Sequence, residues 1–194
     1  MTARSTDTAR KRRRSSARER EVLLGRAIVA LAREPEHRRH DLGDILDSVL
    51  LEELVGLAYY HRLPGLAYER FTERGVKGPL IDELGAGYRD SGAHHLALLA
   101  EVAGLSRIFS ECDIPWLVVK GPVLAELSYS DPGLRSSLDL DIVVRPEDLG
   151  AALAAVEAGG GMILQRNWPL LERLRLGQIV VRLPLGSFGD IHWH

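Results

Sequence analysis

Cysteine is almost missing from this chain. Cys112 is the only one in 194 residues, so an internal disulfide is excluded and a reducing compartment suits the protein. Cys112 itself reads as a small residue packed along a helix. Also lacking are any apolar run long enough to span a bilayer and any signal-peptide pattern at the start. A soluble, cytoplasmic protein with no membrane partner is therefore the expectation. No internal repeat of useful period is present, which sets aside solenoids and propellers. Nor is there a large overall charge, the formal net value being −2.

That near-balance conceals an asymmetry. Residues 1–20 hold eight basic and two acidic side chains, a charge of about +6, leaving about −8 for the remainder. The run Arg10-Lys11-Arg12-Arg13-Arg14 is Ser-flanked and has no apolar stripe before Val22, which predicts a disordered basic tail over 1–20. An acidic body argues against a broad nucleic-acid groove, while the tail offers nonspecific attachment to RNA or an anionic surface.

Beyond the tail the chain alternates helical and strand patterns. Val22, Leu23, Ile28, Val29 and Leu31 have helical spacing over Glu21 to Arg33, and a polar break follows at Glu34 to His40. Asp41 or Asp44 is placed to cap a helix running to about His61, with Ile45, Leu46, Val49, Leu50, Leu54, Leu57 and Ala58 on its buried side. A shorter helix is predicted from Gly65 to Arg74, and a long one from Leu80 to Cys112 with a bend near Gly85, Gly87 or Gly92. His94 and His95, within the long helix, read as surface or packing residues. Strands follow at Trp116, at Asp139–Val144, at Met162 to Gln165, at Gln178 to Leu183 and at Phe188 to His194, with helices from Pro146 and from Pro169 between them. The expected fold is thus α/β (α+β), a mixed sheet flanked by helices after an N-terminal helical region. Its divisions are 1–20 tail, 21–112 helical region and 113–194 core.

The chemistry concentrates in Leu138-Asp139-Leu140-Asp141-Ile142-Val143-Val144, where two carboxylates stand two residues apart in an apolar strand. Alternation points Asp139 and Asp141 the same way. Anions side by side in a low dielectric call for a compensating cation or a proton, and a divalent metal with open positions for phosphates fits. The plain alternative leaves one Asp at a strand end in solvent. Upstream, Lys120-Gly121-Pro122 joins a strand to a helix start, a junction able to cradle phosphate. Downstream, Asp190 lies in a second alternating run and shares its face with His192 and His194, which admits a rival Asp-His-His site for a transition metal. Arg135 lies four residues before Asp139, beside the turn Asp131-Pro132-Gly133, and reads as a phosphate fork, as an exposed loop arginine, or as one paired with Asp131. Tyr129 reads as core or rim packing.

Taken in order, Leu117-Val118-Val119-Lys120-Gly121, Tyr129 with Asp131-Pro132-Gly133-Leu134-Arg135, Asp139 to Val144, and Asp190-Ile191-His192-Trp193 form a linked set. With Ala58-Tyr59-Tyr60-His61-Arg62-Leu63-Pro64-Gly65-Leu66, it resembles the bacterial uncharacterised nucleotidyltransferase family of the DNA polymerase beta-like superfamily, over about residues 45 to 194. The resemblance implies that Asp139, Asp141 and Asp190 are the catalytic and metal-binding triad for Mg²⁺ or Mn²⁺. It implies that Lys120, Gly121 and Arg135 bind the nucleotide; His192, by its own place beside Asp190, reads as an accessory residue that tunes the acidic site by hydrogen bonding. The substrate it implies is an NTP, from which an NMP passes to a hydroxyl or phosphate acceptor as pyrophosphate leaves; the acceptor classes are a small molecule, a peptide or protein, or RNA. Pro122 departs from the Gly-Gly or Gly-Ser turn of many superfamily members. A further helical region normally follows the third carboxylate, so a missing C-terminal helical region or a partner subunit belongs to the expectation. Two other readings stand beside it: a catalytically impaired module that binds nucleotide or a partner protein, and a nucleic-acid binder driven by the arginine tail.

Overall fold

The computed structural model describes residues 3–32, 48–174 and 176–193. The expected break at Glu34 to His40 and the caps Asp41 and Asp44 lie outside the described residues, as does His194. The chain divides into two compact units between Ala86 and Gly87.

The first unit holds α1 (Ala3–Ala32), α2 (Ser48–Tyr60), α3 (Pro64–Glu73) and the start of α4 (Pro79–Glu111). Helix α1 runs back to Ala3, into the span 1–20 expected above as a basic tail. Gly25 is the only Gly or Pro between Ala3 and Ala32, so no strong helix breaker interrupts that span. Its buried face is narrower than the spacing predicts: Ala27 and Leu31 are buried, whereas Val22, Leu23 and Val29 are exposed. Arg20 of α1 pairs with Glu53 of α2 at 2.7 Å. Leu54, Val55 and Ala58 complete the packing with Ala67 and Phe71 of α3 and Ile81 and Leu84 of α4. Pro64 opens α3, where its fixed φ costs no hydrogen bond.

In the second unit, the remainder of α4 buries Leu98, Leu105 and Phe109 against a five-stranded sheet. The boundary expected at 112/113 therefore moves into α4, because the apolar stripe of its second half belongs to the sheet's core. Cys112 lies just past the helix and is exposed, not packed. The strands are β1 (Trp116–Val118), β2 (Asp139–Val144), β3 (Met162–Ile163), β4 (Gln178–Arg182) and β5 (Phe188–Trp193), in the order β1-β2-β5-β4-β3. The β2–β5 pair is parallel and the other three pairs are antiparallel. Helices α5 (Pro122–Ser128), α6 (Leu149–Ala158) and α7 (Trp168–Leu174) connect them. Leu140, Ile142 and Val144 of β2, Ile179 and Val181 of β4, and Ile191 of β5 turn to the core with Leu153 and Val156 of α6. By strand alternation the residues between them face the other way. Among the described residues no helix is long and apolar enough to cross a membrane.

Candidate active site

Asp139, Asp141, Asp190 and His192 all lie on the sheet face opposite the apolar core. In the parallel register Asp141 stands beside Asp190 and Val143 beside His192, so two central strands present their polar side chains as neighbours. One ligand atom from each of Asp141, Asp190 and His192 falls within 4.8 Å of the others. Asp139 lies outside that tight group, one step along the same face of β2. Its charge nevertheless reaches Asp190.

Asp141 is the most enclosed of these carboxylates, at 8% exposure. Its Oδ1 is 3.3 Å from Lys120 Nζ and 3.1 Å from His192 Nε2. Lys120 is held there because β1 pairs with β2 and the Val119 N–H continues the ladder to the Asp141 carbonyl at 3.1 Å. The lysine remains largely exposed, so its ammonium is mobile. Gly121 follows with φ 56° and ψ −125° as the residue before α5. A Cβ at Gly121 would meet the Asp139 carbonyl oxygen at 3.1 Å, and the positive φ disfavours any side chain. Glycine thus lets this turn approach the acid strand closely.

Asp190 carries the electrostatic strain of the site. Burial, followed by the charge of Asp139, raises its carboxyl above the usual range; His192 and Lys120 offset part of this, and Asp141 adds to it. Its Oδ2 accepts a hydrogen bond from Gln178 Nε2 at 3.1 Å. A carboxylate whose pKa is raised on folding contributes stability below its unfolded pKa, and that contribution disappears as pH rises through the folded value. Asp190→Asn is therefore expected to raise the Tm of the metal-free protein at neutral pH, with the advantage vanishing below the ordinary carboxylate range. Thermal melts across pH check this, and an unchanged or lower Tm at neutral pH contradicts it.

Arg135 is not paired with Asp131. The Asp131 carboxylate is taken by Tyr88 Oη at 2.6 Å and the Gly133 N–H at 2.7 Å. Among the described residues, Arg135 Nε and Ser137 Oγ are buried without a hydrogen-bond partner. Tyr129 is half-buried at the end of α5, consistent with rim packing. The two helix histidines do more than fill space: buried His95 meets Glu126 at 2.8 Å, and His94 Nε2 lies 3.3 Å from the Leu138 carbonyl. Sequence reading missed Gln178 and buried Glu101. Gln178 carries no local signal, since only the register of β4 on β5 sets its amide against Asp190.

The model of the family described as uncharacterised nucleotidyltransferase matches residues 47–166, more than half of the chain. The chain belongs to that family. The matched span of this nucleotidyltransferase includes Lys120, Gly121, Arg135, Asp139 and Asp141, and ends before Asp190 and His192. No curated protein matches the chain. Among solved structures, it is similar to the solution structure of the antibiotic-resistance factor ANT(2'')-Ia at 16% identity, with a TM-score of 0.39. The match covers 50% of this chain and 47% of that one, so the chain spans about half the length of the solved relative. At that level of superposition the likeness bears on neither substrate nor mechanism.

Proposed function

We propose that the nucleotidyltransferase moves an NMP from an NTP to a hydroxyl or phosphate acceptor, with a divalent ion held by Asp139, Asp141 and Asp190. The observation that carries this reading is the in-register pairing of Asp141 with Asp190 on the open face of the sheet, within a chain of this family. The donor set fits the group. Carboxylate oxygens suit Mg²⁺ and Mn²⁺, and the imidazole of His192, within 4.8 Å of both carboxylates, is tolerated better by Mn²⁺. Burial, and after it the charge of Asp139, raises the Asp190 carboxyl despite His192 and Lys120, and a divalent cation would stabilise its charged form.

When bound, such an ion neutralises triphosphate charge and polarises the reacting phosphate. The chain's own residues do the rest. Lys120 swings between Asp141 and an incoming phosphate, Gly121 keeps the turn close, and Arg135 offers an unpartnered buried Nε beside the strand entry. The acceptor oxygen attacks the α-phosphorus as the bond to pyrophosphate breaks, and a hydroxyl acceptor's proton passes to the Asp190 carboxylate. Gln178 fixes one oxygen of Asp190 and leaves the other free.

The test is incubation of the full chain with Mg²⁺ or Mn²⁺ and each α-labelled NTP in the presence of small-molecule, protein and RNA acceptors. Labelled acceptor with release of pyrophosphate supports the proposal. NTP binding without transfer to any acceptor supports the noncatalytic module instead.

A further inference from the structure

Glu101 is a charged side chain in a place built for apolar ones. It lies on α4 between Leu98 and Leu105, at 1% exposure, facing the core beneath the sheet. An unpaired carboxylate there would be heavily penalised by desolvation. Instead its two oxygens are used separately: Oε2 accepts the Leu185 N–H at 3.2 Å and Oε1 accepts the Ser187 N–H at 3.0 Å. Those amides belong to the turn between β4 and β5. The turn is closed by Gly186 N–H to the Leu183 carbonyl at 2.9 Å and Leu183 N–H to the Ser187 carbonyl at 2.8 Å, with Gly186 at φ 106°.

The position of this turn fixes where β5 begins. Asp190 is the third residue after Ser187, and a one-residue slip of β5 would carry it from the open face to the core face. A carboxylate is the one side chain here that accepts from both amides, because a glutamine amide would set its own NH₂ against one of the N–H groups. The same helix also holds the approach to β2: Ser91 Oγ lies 2.7 Å from Ser136 Oγ, and Tyr88 Oη holds Asp131.

We propose that Glu101 is a positioning residue for the acid site, setting Asp190 against Asp141 by gripping the β4–β5 turn from α4. This rests on the metal-dependent reading given above. The test measures Mn²⁺ affinity of the full chain, from the EPR signal of free Mn²⁺, alongside Tm. Three proteins are compared: wild type, Glu101→Gln, and Leu98→Ala as a control that opens a cavity three residues away on the same helix.

Glu101→Gln is expected to weaken Mn²⁺ binding about tenfold or more, in the range seen when groups orienting metal ligands are removed. Leu98→Ala lowers Tm as much or further yet leaves Mn²⁺ affinity within about twofold of wild type, since a core cavity lowers stability without displacing the ligands. Should Glu101→Gln not fold, Glu101→Asp, which keeps the charge but shortens the reach, takes its place. An affinity for the Glu101 variant within about twofold of wild type, or an equal loss in Leu98→Ala, overturns the positioning role. Wild-type protein that binds no Mn²⁺ overturns the metal reading beneath it.

Discussion

Asp141→Asn is expected to abolish nucleotidyl transfer, a loss of about 10³-fold or more, while the fold survives. The amide has the shape of the carboxylate and still offers Oδ1 to His192 Nε2, 3.1 Å away, and Lys120 is exposed enough to regain water. What disappears is the anion at the enclosed centre of the cluster, the charge best placed to hold a divalent ion against a triphosphate. The effect should fall on kcat and on Mn²⁺ affinity together, and Tm should change little. Asp139→Asn is expected to act in the same direction, because its charge is already felt at Asp190. Steady-state kinetics with labelled NTP, paired with thermal melts, give the answer. Turnover like wild type in Asp141→Asn would remove the carboxylate from the reaction.

The largest stability effect is expected at Phe109. Its ring is fully buried in the sheet unit's core and meets Trp116 edge to face at 5.4 Å. Phe109→Ala should cost about 3–5 kcal/mol through lost burial and the cavity left behind. Against the roughly 5–15 kcal/mol that hold a typical domain, this is enough to populate unfolded sheet unit at moderate denaturant. All three tryptophans, Trp116, Trp168 and Trp193, lie in the unit that begins at Gly87, so tryptophan fluorescence in urea reports on that unit. A shift below about 1 kcal/mol would mean that the second half of α4 does not build the sheet's core, and would restore the boundary at 112/113.

The parts legible in the sequence are those set by local periodicity. Alternation alone aligned Asp139 with Asp141 and Asp190 with His192, and β2 occupies Asp139–Val144 as its apolar run implies. Pro64 and Gly75 bracket α3 close to the expected ends. What local pattern does not encode is which strands become neighbours. Strand β5 enters beside β2 after two intervening strands, and that pairing alone joins Asp190 to Asp141.

The same limit hid the supporting residues. Glu101 acts on a turn 84 to 86 residues away, and a single glutamate on a long amphipathic helix gives no sign of burial. Gln178 looked like an ordinary strand opening. At the N-terminus the absence of an apolar stripe predicts a tail, and helix α1 has its first residue at Ala3, within that span. Of the partners open to Arg135 by sequence, Asp131 is instead held by Tyr88 and Gly133.

The most direct measurement of the central claim is a manganese anomalous difference map from crystals soaked with Mn²⁺ and a nonhydrolysable NTP. A peak is expected bounded by the carboxylates of Asp139, Asp141 and Asp190, with the triphosphate lying against Lys120 and Arg135. Nucleotide bound elsewhere, or a manganese peak that excludes Asp141 and Asp190, would contradict it.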